Sequence, residues 1–298
     1  MFFSYRSYSL PFTLTIVLSL TACSSINSNT APENNYQLTT ITSTATNQSH
    51  PGKFIWHDLL THDTNKSKQF YAQLFGWRFE ESGSYSVIFN NDKKIGGILE
   101  VKPKSKTDSE AVWLASMSVA NIDSAISLTK SSGGQILKGP FDMKARGRGV
   151  LIKDPQGAQL ILLNSHNSDP VDDEIKVGDW LWNEIWTHSP DKTLSFYSQL
   201  GQYNTVLQNK AYHILINEEQ WRAGIRQVFD KDIKVRWVPT IRVADPNALL
   251  DKVKELGGQV ILKTGEYPNN KHTALIADNT GALLMIQQWD SSHDTGVK

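Results

Sequence analysis

The sequence predicts an α+β protein made of two tandem copies of one domain. Each copy holds two β-α-β-β-β units, with helices covering the outer face of a curved, antiparallel-rich sheet. Three observations carry this expectation. First, segments recur along the chain: KQFYAQLFGW (68–77) returns as LSFYSQLGQY (194–203), and WLASMSVANID (113–123) as WVPTIRVADPN (237–247). SSGGQILKG (131–139) is echoed by ELGGQVILK (255–263), and IKDPQGAQLILL (152–163) by IADNTGALLMIQ (276–287). The offset stays between 124 and 126 residues, as a duplication requires. Second, the same order of strand and helix patterns appears twice inside each copy. Third, the polar stretch SHNSDPVDDEIKVG (165–178), with its Asp-Pro break, marks a junction between the copies.

The elements follow in order. Residues 53–61 alternate as a strand, and 64–75 form a helix for which Asp63 is an N-cap residue type. Three short strands come next, in WRFEES, YSVIFN and KIGGILEV. The second unit repeats this with a strand at 111–119, a helix at 121–132, and strands in QILKGPF, GVLIK and AQLILL. In copy two, Ser189 takes the capping place and Pro190 the first helical position. Gly133 and Gly257 stand where a helix ends in a left-handed residue. Leu249, Leu250, Val253 and Leu256 keep helical spacing on one face. DPQG (154–157) has the residues a type I turn prefers.

The first 23 residues read as an export signal: Arg6, then the apolar LPFTLTIVLSL, then LTAC ending at Cys23. LTAC resembles a bacterial lipobox, which implies lipid attachment at Cys23 and membrane association through that lipid. Ser24 after the cysteine implies sorting to the outer membrane, facing the periplasm. Cys23 is the only cysteine, so no intrachain disulfide forms. Residues 24–52 are rich in Ser, Thr and Asn with Glu33 as the one formal charge, and are expected to be a flexible tether reaching roughly 30 Å. The expected domains are then 53–164 and 179–290, joined by a linker at 165–178 and followed by a tail at 291–298.

The four units, with FYAQLFGW, the paired glycines after each second helix and GRGVLIKDPQGAQLILL, resemble the vicinal oxygen chelate superfamily of glyoxalases, bleomycin-resistance proteins and extradiol dioxygenases. The resemblance covers residues 53–290 and implies that pairs of units form cups. Metal-dependent relatives place ligands on the first and last strands of the units. Carried over position by position, these places fall on Trp56, Leu114 and Ile161 in copy one and on Trp182, Val238 and Met285 in copy two. None binds a metal ion in the usual way, so a site without metal or other cofactor is expected. His57 is one step from Trp56, and a single step along a strand turns a side chain to the opposite face. His57 should therefore point toward the helices, and His62 should lie in the turn beside Asp63.

The cup faces hold the remaining candidates. Asp58 and Glu184 lie two residues after Trp56 and Trp182, and should point inward as possible general acids or bases. In WLWNEIW, alternation places Trp180, Trp182, Glu184 and Trp186 on one face. A carboxylate among indoles is costly to bury unless paired. Arg242 has the parity to enter the same cup and pair with Glu184, while Ser116 and Ser118 face Asp58. The aromatic walls with a few polar groups have the form of a small-molecule site. KARGRG (144–149) presents Arg146 and Arg148, read as a solvated hairpin more readily than as an anion site; Arg222 and Arg226 are too scattered to assign.

Basic and acidic residues balance, 30 against 30, which excludes a partner held mainly by charge such as a nucleic acid. No dinucleotide fingerprint or Walker loop is present. The expected function is an envelope-tethered protein binding a small molecule in aromatic-lined cups. The alternatives are a lyase, isomerase or dioxygenase with a non-standard site, and a structural or partner-binding envelope protein with closed cups.

Overall fold

The computed structural model describes residues 38–102, 111–268 and 271–289. The signal segment, Cys23 and the tail lie outside these. Copy one contains β1 (Phe54–Thr61), α1 (Thr64–Phe75), β2 (Arg78–Ser82), β3 (Tyr85–Asn90) and β4 (Lys93–Glu100), then β5 (Val112–Ser118), α2 (Ile122–Ser131), β6 (Gln135–Asp142), β7 (Gly147–Lys153) and β8 (Gln159–Ser165). Copy two repeats the order with β9 (Trp180–Thr187), α3 (Pro190–Leu200), β10 (Asn204–Asn209), β11 (Tyr212–Asn217) and β12 (Gln220–Gln227). Its second unit is β13 (Arg236–Val243), α4 (Pro246–Glu255), β14 (Gln259–Leu262), β15 (Thr273–Ala277) and β16 (Leu283–Gln288). The local signals act as expected at most helix ends. Asp63 accepts from the Lys66 amide at 3.0 Å, and Gly133 and Gly257 adopt φ of 86° and 82°. Ser189 occupies the N-cap place but its side chain makes no capping bond.

Each copy closes its own cup. The sheet orders are β2-β3-β4-β1-β5-β8-β7-β6 and β10-β11-β12-β9-β13-β16-β15-β14, so the two units of one copy meet along β1–β5 or β9–β13. Both central pairs are antiparallel, whereas β1–β4 and β9–β12 are parallel. The inner faces carry two separate clusters, one around Trp56, Tyr85 and Leu114 and the other around Trp186, Val238 and Met285.

The outer faces, with their helices, pack against the opposite copy. Leu59, Phe70 and Trp113 of copy one share a core with Ile241, Val253 and Leu284 of copy two, and Met117, Ile122 and Leu160 share another with Phe196, Leu215 and Ile225. Two matching polar chains cross this boundary. Tyr71 donates to Asp278 at 2.8 Å while accepting from Trp113 Nε1, and Tyr197 donates to Asp154 at 2.9 Å while accepting from Trp237 Nε1. Each aspartate also accepts backbone amides of its own turn, from Gln156, Gly157 and Ala158 or from Thr280 and Ala282. The recurring Phe-Tyr and Asp-turn motifs are thus the two halves of the joint between copies. Buried polar groups of this kind are satisfied only when both copies are docked.

The segment expected to be a tether as far as residue 52 is laid down on the protein from 38 onward. Thr42 and Asn167 exchange hydrogen bonds, Thr46 Oγ1 donates to the Asp169 carbonyl at 2.6 Å, and Asp169 Oδ2 accepts from the His50 amide and from Ser118 Oγ. Composition underestimated this segment because its partners are backbone and side-chain groups of Asn167 and Asp169 in the linker, more than a hundred residues away. Ser118 is spent on this strap rather than facing Asp58 in the cup. Among the described residues no helix is long and apolar enough to cross a membrane.

Candidate functional site

Cup one is built around the Asp58 carboxylate on β1. Its Oδ1 accepts from Trp56 Nε1 at 3.0 Å and from the Tyr85 hydroxyl at 2.6 Å. Arg146, in a single 3₁₀ turn before β7, places Nη1 3.5 Å from Asp58 Oδ2 and donates Nη2 to the Tyr85 oxygen at 3.0 Å. The guanidinium lies 4.4 Å over the Trp56 ring and 5.2 Å from that of Tyr85, within cation–π range. Burial pushes the Tyr85 phenol far above its ordinary pKa, against the opposing pull of Arg146, so it stays protonated and donates. Trp56, Tyr85 and Arg146 are each only 1% exposed. Ser116 pairs with Trp56 across β1–β5, and its buried Oγ has no hydrogen-bond partner; neither does Arg146 Nη1.

Cup two repeats the theme around Glu184 on β9. Its Oε1 accepts from Trp186 Nε1 at 2.8 Å, from Arg226 Nε at 2.6 Å and from the Tyr267 hydroxyl. Arg226 Nη2 reaches Oε2 at 3.1 Å, completing a bidentate pair. The guanidinium sits between the rings of Tyr212 and Tyr267, 4.6 and 4.7 Å from their centroids. Burial alone would lower its pKa, but the Glu184 charge more than offsets this and raises it, so Arg226 is a fixed cation. Trp182 donates to the Tyr212 hydroxyl at 2.8 Å. Thr240, opposite Trp182 on β13, mirrors Ser116: its buried Oγ1 is also unpartnered.

A glycine lies opposite each carboxylate, Gly97 beside Asp58 and Gly224 beside Glu184. A Cβ at Gly97 would sit 1.8 Å from the Tyr85 hydroxyl, and one at Gly224 would sit 2.1 Å from that of Tyr212. Glycine in mid-strand is here the space through which the tyrosine reaches across the sheet.

Trp56, Asp58 and Ser116 therefore meet in cup one, and Trp182, Glu184 and Trp186 in cup two. Two residues expected in cup two lie elsewhere. Arg242 does not pair with Glu184. It lies at the far end of β13, donates to the Ile175 carbonyl and faces Glu174, because Glu184 is opposite Val238, four residues earlier. Parity was right and distance along the strand was not. Trp180 also leaves the cup. Trp182 pairs with Thr240 and Trp180 with Ile241, so two residues of β9 oppose one of β13. This bulge turns Trp180 outward, where Nε1 donates to the Ile95 carbonyl at 2.7 Å.

His57 points outward, as its parity requires. It stacks on Trp180 at 4.1 Å, and its Nε2 lies 2.8 Å from Oδ1 of Asn183, the equivalent residue of the other copy. Burial lowers its pKa to about 4, so the ring is neutral at ordinary pH. Arg146, expected in a solvated hairpin, and Arg226, left unassigned, are the cations of the two cups; of the two arginines in the KARGRG run only Arg148 is exposed, paired with Asp123. Tyr85, Tyr212 and Tyr267 were also missed. For Tyr85 and Tyr212 the signal available was a glycine in the middle of a strand, Gly97 or Gly224, which announces a close approach.

The positions where relatives hold an ion carry Trp56, Leu114 and Ile161 or Trp182, Val238 and Met285, all on the inner faces. The nearest carboxylates, Asp58 and Glu184, have their oxygens engaged by arginine, tyrosine and tryptophan donors. Among the described residues no three His, Cys, Asp or Glu side chains converge as a metal site would need. This donor set does not fit a coordinated ion. A cleft of about 400 Å³ opens between the copies, lined in part by Phe54, His57, Trp180, Trp182 and Arg222. Trp182 is half-buried there, whereas Trp56 and Trp186 are buried.

Comparison with known proteins agrees with this architecture. Residues 53–162 match the Glyoxalase family, described as the glyoxalase/bleomycin resistance protein/dioxygenase superfamily. The glyoxylase-named protein CFP32 of Mycobacterium tuberculosis is 27% identical over 241 residues, covering 78% of this chain and 92% of that protein. The anthracycline biosynthesis protein DnrV of Streptomyces peucetius is 21% identical over 263 residues, covering 80% and 94%. Among solved structures, the Mn(II)-bound glyoxalase from Novosphingobium aromaticivorans superposes with a TM-score of 0.58 at 10% identity, over 81% of this chain and 83% of that one. A variant of homoprotocatechuate 2,3-dioxygenase from B. fuscum gives 0.58 at 11% identity, over 83% and 73%. At such identities the structural likeness speaks for the fold alone. The family match places residues 53–162 in the glyoxalase/bleomycin resistance/dioxygenase superfamily, and the four β-α-β-β-β units of the chain are arranged as two cups back to back.

Proposed function

We propose that this is an envelope-tethered member of the superfamily that binds a small molecule in its aromatic cups through hydrogen bonds and ring contacts. One observation carries the reading. In cup one, Arg146 Nη1 and Ser116 Oγ are buried without hydrogen-bond partners beside the Trp56 indole. Buried polar atoms are nearly always satisfied, and an orphaned donor costs about 1–3 kcal/mol, so these two are groups that a polar guest would satisfy. Thr240 Oγ1 offers the same kind of group beside Trp182 in cup two. Acid–base catalysis by Asp58 or Glu184 is the weaker reading, because both carboxylates are engaged in ion pairs with arginine.

The test is native mass spectrometry of protein isolated from membranes in mild detergent, without added ligand. A co-purifying small molecule, diminished by Trp56→Ala or Trp182→Ala, is the expected result. Ligand-free spectra, with no thermal shift from cell-extract metabolites, would instead favour a structural protein with closed cups. The anchor is proposed on LTAC: labelling with a fatty-acid analogue should mark the wild-type chain and not Cys23→Ser.

A further inference from the structure

What covers cup one is the protein's own chain. Residues 38–41 run across its mouth: Ile41 is only 4% exposed and shares a cluster with Trp56, Met143 and Leu163, and Leu38 packs against the same cluster. Between them the Thr39 carbonyl accepts from Arg146 Nε at 3.3 Å. The segment just after it is stitched to the linker by Thr42 and Thr46. The strap thus offers the cup one carbonyl oxygen flanked by two branched aliphatic side chains, and the cup accepts both features.

Charge decides what kind of acceptor the site prefers. Asp58 already stands 3.5 Å from Arg146, so the pair is close to neutral before anything else arrives. A second carboxylate at Nε would leave an uncompensated negative charge in a site where Arg146 and Trp56 are 1% exposed. Burying such a charge is strongly unfavourable. An uncharged carbonyl takes the same hydrogen bond without that cost, as Thr39 does. We propose that cup one is a binding site for an uncharged carbonyl compound with a branched apolar flank, and that residues 38–41 occupy it until such a ligand displaces them. This rests on the small-molecule reading above and specifies its ligand class and its gate. Cup two has a different cover, with Arg226 Nη1 donating to the Pro268 carbonyl at 3.3 Å.

The experiment titrates full-length protein in detergent with 4-methylpentanamide and with 4-methylpentanoate, which share a branched skeleton and differ in charge. Ile41→Gly removes the plug without adding a charge, and Ile41→Asp is the second variant. Hydrogen exchange over 38–46 should rise in both, and the amide should bind at least tenfold more tightly than to wild type. It should also bind at least tenfold more tightly than the carboxylate, and Arg146→Gln in the Ile41→Gly background should remove the gain. The inference is overturned if the strap is released and amide affinity is unchanged, if the carboxylate binds as well as the amide, or if neither variant alters exchange. Failure of the amide alongside a co-purifying ligand that depends on Trp182 would sink the strap inference alone. Failure of the amide with no co-purifying ligand in any variant would take the small-molecule reading with it.

Discussion

The two cups solve one electrostatic problem with different parts of the chain. Both bury a carboxylate at the same place on the first strand, Asp58 or Glu184, with a glycine beside it and a tyrosine, Tyr85 or Tyr212, at the start of the third strand. The cation comes from elsewhere in each. Arg146 reaches cup one from the second unit, ahead of β7, whereas Arg226 reaches cup two from β12 of the first unit. In β4 of copy one, Leu99 stands where Arg226 stands in β12, each two residues past the glycine aligned with the carboxylate. What duplication preserved is the need to neutralise a buried acid; which strand supplies the base was free to change. The shorter Asp58 is met by a looser contact of 3.5 Å, the longer Glu184 by a bidentate pair at 2.6 and 3.1 Å.

That contrast gives the largest expected effect. Arg226→Met leaves Glu184 buried with Tyr267 and Trp186 but no cation, and should cost about 3–5 kcal/mol in urea unfolding. Arg146→Met should cost clearly less, since Asp58 likewise keeps a tryptophan and a tyrosine donor but lies at a longer distance from its arginine, 3.5 Å. The double change Glu184→Gln with Arg226→Met should recover most of the loss. Equal costs for the two arginines would break the comparison.

The next test uses the pseudo-equivalent pair at the joint, of which only His57 titrates. Its folded pKa is about 4 against 6.5 for an ordinary histidine. Between those values the unfolded chain binds the proton and the folded chain does not, so stability rises with pH across the window. The contribution is complete above about pH 6.5 and is lost as pH falls toward 4, a total of about 3 kcal/mol. Chemical denaturation between pH 4 and 7 should show this slope, and His57→Gln should flatten it. An unchanged slope would show that His57 is not the group responsible.

A smaller effect sharpens the tyrosine–glycine match. Gly97→Ala and Gly224→Ala should each displace a phenol from its place and cost about 1–3 kcal/mol. Gly97→Ala combined with Tyr85→Ala, which removes the whole ring, should cost less than the sum of the two, and likewise Gly224→Ala with Tyr212→Ala. Additive costs would mean that the glycines serve some need other than the tyrosine side chains.

Much of the fold was legible because its signals are local. The capping Asp63, the left-handed Gly133 and Gly257, and the alternation that sends Trp56 and Asp58 inward and His57 outward all act within a few residues. Where alternation broke, it broke at a bulge: Trp180 needed the pairing of β9 with β13 to be known before its side could be assigned.

The sequence alone determined the four-unit repeat and the inward carboxylates, since these follow from recurring segments, residue type and short-range period; which positions correspond to the ion ligands of relatives is what the family resemblance implies. The tertiary structure decided that each copy closes its own cup, that Arg146 serves Asp58 and Arg226 serves Glu184, and that residues 38–41 lie across cup one. These depend on partners between 42 and 107 positions apart, and no local periodicity encodes which of several arginines a folded sheet will bring to a given acid.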